Sequence, residues 1–168
     1  MNKTRIAASA AVIAAALIAA LSAGAMTTRG SIHIYGEGNG GNSGQLVITG
    51  AIDAAGTSRT SVTDHGRVSL LTASLPKGKL VVDITKLRAA VAKGLDSGDP
   101  TTCSAVFRAT VPATILRGTG PYAGASGNLS LHASVAVVAP KASSGQCGAI
   151  SPVSLVDWVQ GSGTVSLK

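Results

Sequence analysis

Gly118-Thr119-Gly120-Pro121-Tyr122-Ala123-Gly124-Ala125-Ser126-Gly127-Asn128-Leu129-Ser130-Leu131 decides how this chain is read. It joins an alternating run ending at Arg117 to another starting at Leu129, with four glycines and one proline between them. Glycine reaches backbone conformations closed to other residues and proline presets a turn, so the segment reads as a tight corner between two strands. Gly118, Gly120, Gly124 and Gly127 are its structural residues. Tyr122 either packs over the adjacent turn or gates an opening beside it. The glycines have neither the spacing nor the strand–helix setting of a dinucleotide loop.

Outward from this corner the chain alternates at period two. Leu129, Leu131, Ala133, Val135 and Val137 share one face of a strand, opposite Ser130, His132 and Ser134. Leu80, Val82 and Ile84 do the same, and comparable runs cover 31–35, 45–53, 67–75, 104–111, 113–117, 155–160 and 164–167. Asp53-Ala54-Ala55-Gly56, Asp64-His65-Gly66 and Pro76-Lys77-Gly78 punctuate them as turns. Pro112 splits one long run, implying a bulge or an edge there. Val156 and Trp158 alternate together and read as core residues. One stretch breaks the period: Thr85 caps a short helix over 86–93, with Gly94 as its stop. About eight or nine short strands with one helical excursion define an all-β domain, a single antiparallel barrel before a sandwich. Closure removes exposed sheet edges, which favours the barrel.

Residues 1–25 read as a secretory signal peptide. Lys3 and Arg5 precede an uncharged apolar stretch over 6–21, and Ala23-Gly24-Ala25 supplies a small-x-small cleavage pattern with the cut after Ala25. The apolar stretch is shorter than the ~20 residues a membrane span needs. Residues 26–44 then read as a flexible, glycine-rich segment carrying the first strand, and 45–168 as the barrel domain, secreted and with no transmembrane segment after cleavage. Cys103 and Cys147 form an even pair in an oxidising compartment, most simply one disulfide.

The chain carries a formal charge of +7, of which Lys3 and Arg5 belong to the leader. A scattered basic surface suits either a soluble protein without a cognate partner or one that meets an anionic cell-surface polymer. Export and four aromatic residues argue against nucleic acid, and the same scarcity supplies an aromatic sugar platform poorly. Three dispersed histidines and a disulfide pair leave no metal-ligand spacing, and no cofactor is implied.

The corner Gly118-Thr119-Gly120-Pro121-Tyr122-Ala123-Gly124-Ala125-Ser126-Gly127, followed by an alternating strand, resembles that of the allene oxide cyclase and dirigent-like β-barrels, especially their small secreted bacterial members of unknown function. The specific match covers about a dozen residues. The resemblance implies an eight-stranded barrel able to enclose one small apolar ligand. The matching positions are scaffold glycines, so no catalytic residue is carried over.

His33, Tyr35 and Glu37 fall at i, i+2 and i+4 of the first strand, and Glu37 is the chain's one glutamate. On a cavity wall they would supply an acid/base group, an orienting hydroxyl and a carboxylate. On a half-buried strand they are instead the solvent face, with Ile32 and Ile34 buried. Gly41-Asn42-Ser43-Gly44 superficially resembles a serine-protease motif but reads as a loop. The expected function is non-catalytic binding of a small apolar ligand or a surface partner. The alternatives are an isomerase or cyclase working in the lumen, and a structural envelope protein.

Overall fold

The computed structural model describes residues 28–38, 41–95, 98–147 and 153–168. The signal-peptide reading lies outside them. Eight antiparallel strands close into a barrel in chain order: β1 (Thr28–Gly38), β2 (Ser43–Gly50), β3 (Ala54–Thr63), β4 (Val68–Leu75), β5 (Gly78–Asp83), β6 (Ser104–Gly118), β7 (Ser126–Val138) and β8 (Ser154–Leu167). β1 pairs with β8 from Thr28↔Leu167 to Gly38↔Asp157, which seals the sheet. β1 is therefore a full stave, and the barrel takes in residues ahead of Gln45. One α-helix among the described residues, α1 (Thr85–Leu95), lies between β5 and β6. No described helix is long and apolar enough to cross a membrane.

Alternation sorts the side chains. Ile32, Ile48, Leu80, Ile115 and Val165 point inward and are at most 1% exposed. With Leu75, Leu129 and Tyr122 they pack the end of the barrel that holds the corner. There β6 runs into a single 3₁₀ turn (Gly120–Tyr122), then β7. Thr119 donates its amide to the Lys79 carbonyl at 2.9 Å, and its hydroxyl accepts the Lys79 amide at 3.0 Å. Gly120 and Gly124 have φ of 62° and 75°, the left-handed region that other residues adopt only with strain. A Cβ on Gly118 would strike the Tyr122 backbone. Tyr122 is buried and part of the core, so it closes this end.

Four expectations need correction. β3 was not foreseen: 54–56 read as a turn, yet Ala54–Thr63 is a stave paired to β2 and β4. Pro112 does not split β6, which continues in register against β7 through Pro112↔Ser130; of the bulge or edge that it implies, the edge is what the sheet shows. β5 pairs with β6 only from Thr114 onward, so proline sits where β6 has a single strand neighbour, a setting that tolerates a missing N–H. Gly94 does not stop α1; it lies within the helix, buried, where a Cβ would overlap the Phe107 ring. Val156 and Trp158 face outward, 61% and 39% exposed, while Leu155, Asp157 and Val159 face in.

Candidate functional site

The opposite end of the barrel is hollow, and the cause is a gradient in side-chain size. Along β1 the inward positions run Ile32, Ile34, Gly36, Gly38; along β2 they run Ile48, Leu46, Gly44. On these two strands large side chains fill the corner end, and nearer the β1–β2 connection Gly36 leaves space, where a Cβ would meet nothing closer than 3.5 Å. An eight-stranded barrel is just wide enough for its side chains to fill, or to hold one small ligand when they do not. A cavity of about 260 Å³ results. Its deep wall is apolar, including Leu46, Leu71, Val135 and Val159. Polar groups gather at its rim: Ser58, Thr60, Asn42, Glu37 and Asp157. The Thr60 amide donates to the Asn42 carbonyl at 2.7 Å, pinning the β1–β2 connection to β3.

α1 roofs the cavity. Ile84, Leu87 and Val91 recur at helical spacing, and all three line it. The start of the helix is fixed to the barrel by a short relay. Ser69 of β4, itself buried, donates its amide to the Thr85 hydroxyl oxygen at 3.0 Å and accepts the Ile84 amide at 2.9 Å. The Thr85 amide donates to Asp83 Oδ1 at 2.9 Å. Hydrogen bonds from the Thr85 hydroxyl, then from its amide, hold the Asp83 carboxyl below its ordinary value, with Lys86 adding a smaller pull. Thr85 thus works by tying the helix to β4 and β5.

Beyond the helix, Cys103 and Cys147 are bonded, with Cα atoms 5.2 Å apart. The disulfide joins the start of β6 to the segment after β7, at the α1 end of the barrel. Asp99 organises the turn before it, accepting the Thr101 amide at 2.7 Å and the Thr102 hydroxyl at 3.0 Å. These bonds, the Thr101 amide first, lower its pKa from the ordinary carboxylate value.

His33, Tyr35 and Glu37 share the outward face of β1, and all three are exposed. They are brought together along one strand, outside the lumen; Glu37 alone also reaches the cavity rim. His65 occupies a turn with φ 53° and is exposed. His132 lies on the outer face of β7, where Nδ1 is 2.9 Å from the Thr110 hydroxyl. Asp157 and the lumen glycines were missed as site residues. Their signal was Gly36 and Gly38 continuing the Ile32/Ile34 register at period two.

No protein-family model, no curated protein and no solved structure matches this chain. The site therefore has to be read from its own geometry.

Proposed function

We propose that this is an exported barrel that holds one small, largely apolar molecule in its lumen, beneath α1, without transforming it. The observation that carries this reading is the cavity of about 260 Å³ at the α1 end, where Gly36 leaves inward space against an apolar wall. An apolar cavity left dry gains by taking up an apolar guest: one of about 150 Å³ holds benzene, so this one suits a guest of about ten non-hydrogen atoms. The polar rim suits a guest with one polar end, since pockets commonly orient an apolar ligand by a few placed polar groups. The resemblance to lumen-binding barrels and the disulfide, a feature of oxidising compartments, support export and this use of the fold.

Native mass spectrometry of protein secreted into culture medium tests both halves. The expected result is a chain beginning at Met26 that retains an extra mass of about ten non-hydrogen atoms. Fluorobenzene, followed by fluorine NMR, should bind saturably in the emptied protein. Absence of both the retained mass and fluorobenzene binding would sink the lumen reading.

A further inference from the structure

Two of the chain's four aromatic residues line one groove on the outside of the barrel, at diagonal positions of the β1–β8 pair. Tyr35 pairs with Gln160 of β8 and Val47 of β2; Glu37 pairs with Trp158 of β8 and Gln45 of β2. Strand alternation puts these six side chains on one outer face. Tyr35 is 44% exposed and Trp158 39%. Between them runs an open groove of about 640 Å³, lined also by Glu37, Gln45 and Val47. Trp158 is braced from the β7 side, where the His132 ring meets it edge-on at 86° with centroids 6.1 Å apart. His132 is in turn held by Thr110.

Charge selects the occupant. Glu37 lies directly across from Trp158 and two residues along the same face from Tyr35, so one carboxylate sits between two aromatic rings. Asp157, neighbour of Trp158 in sequence, places its carboxylate over Gly38 at the adjoining rim. Of the outward bases, Arg59 stands two strands from Glu37, two residues along β3 from the row Glu37–Gln45–Thr57, and Arg108 three strands away, in the row Glu37–Trp158–Ser134–Arg108. At physiological salt, screening over about 8 Å confines the protein's overall positive charge to its own surroundings. An anion would meet Glu37, and an apolar segment would bury that carboxylate unpaired.

We propose that this outer groove binds a small organic ammonium ion of the quaternary type. Its methyl-bearing cation would sit on the faces of Trp158 and Tyr35, which attract cations through the ring quadrupole, with Glu37 as counter-charge. The groove opens on the outer face and shares Glu37 with the rim of the lumen, but its aromatic rings lie outside the lumen.

Trp158 is the sole tryptophan, so its fluorescence reports this groove alone. Choline chloride is titrated into the purified protein against sodium chloride at equal ionic strength, and against the neutral isostere 3,3-dimethylbutan-1-ol. The expected result is a saturable change with choline only, half-complete on the order of 10 mM, which two exposed aromatic contacts and one exposed counter-charge together supply. Tyr35→Ala and Glu37→Gln each weaken it about two- to fivefold, with melting temperatures unchanged, and saturating fluorobenzene leaves it in place. An equal response to the isostere overturns the proposal. So does a response to a neutral methyl glycoside without one to choline, or no saturation by roughly 100 mM.

Discussion

Filling the lumen from its own wall is the sharpest test of how this barrel is hollowed. Gly36 is half-buried, has no positive φ, and lies on the inward face between Ile34 and Gly38. A Cβ built there meets the Gln45 carbonyl oxygen at 3.5 Å and Leu46 Cβ at 3.9 Å, ordinary contacts that require nothing to move. In Gly36→Leu the four added carbons would occupy about 100 Å³, by proportion with benzene in its ~150 Å³ cavity. Full burial of leucine is worth about 1.5–3 kcal/mol, and replacing a mid-strand glycine adds about 0.5–1 kcal/mol. Discounting the burial for the open mouth leaves a gain of about 1–3 kcal/mol. That corresponds to a melting temperature higher by about 3–10 °C for a domain of this size. The same variant should lose fluorobenzene binding by fluorine NMR. A lower melting temperature with binding retained would refute the reasoning, because overpacking costs about 1–3 kcal/mol and would mean Gly36 faces packed atoms rather than a void.

Three further outcomes follow from the roof and its anchors. Replacing both Cys103 and Cys147 with alanine frees a loop of sequence separation 44 and should cost about 4 kcal/mol on the chain-entropy account; urea unfolding measures it, and two titratable thiols in the unreduced wild type would contradict the bond. Asp83→Asn should destabilise at neutral pH. A carboxyl whose folded pKa is depressed contributes stability above its unfolded value, about 3.9, and loses it as pH falls towards the lower folded value. The difference between Asp83→Asn and wild type in pH-resolved melts should therefore shrink below about pH 4, and a difference constant down to pH 2 would exclude Asp83's charge as the cause. Gly94→Ala should lower stability despite alanine's helix preference of about 1 kcal/mol, because its Cβ overlaps the Phe107 ring; in a double-mutant cycle, Phe107→Ala should remove most of that penalty.

The parts of this fold that could be read from the chain are those where the two faces of a strand differ in hydrophobicity. β7 sets apolar residues against polar ones, β5 sets Leu80 and Val82 against Lys79 and Asp83, and the glycines of the corner announce a turn by backbone need alone. β3 gives no such contrast: its inward residues are Ala54, Gly56, Ser58 and Thr60, facing Ala55, Thr57, Arg59 and Ser61 outside. It is held by hydrogen bonding to strands on both sides, which no local pattern records. In β8 the contrast misleads. The inward set includes Asp157, tolerated because it stands at the open rim, so the more apolar set of Val156 and Trp158 looked like core while facing solvent.

Much of the polar or glycine character that hides these strands lies at one end of the barrel. Gly36, Gly38, Gly44, Ser58, Thr60 and Asp157 all surround the α1 end of the lumen. A wall that leaves a cavity carries fewer large inward side chains and admits polar ones at the mouth. Doing so erases the period-two signal by which a strand is recognised. The packed end of the barrel is legible because Ile32, Ile48 and Val165 must fill it. The hollow end is illegible because its residues leave space there, and a glycine that shapes a cavity looks in sequence like one that makes a loop. An inward glycine therefore signals a cavity only where a Cβ would find space: Gly161 and Gly163 of β8, also inward at period two, lie instead against the Leu131 side chain and the Asn128 carbonyl. In this chain β1 carries that sign at Gly36, where a Cβ would meet nothing closer than 3.5 Å.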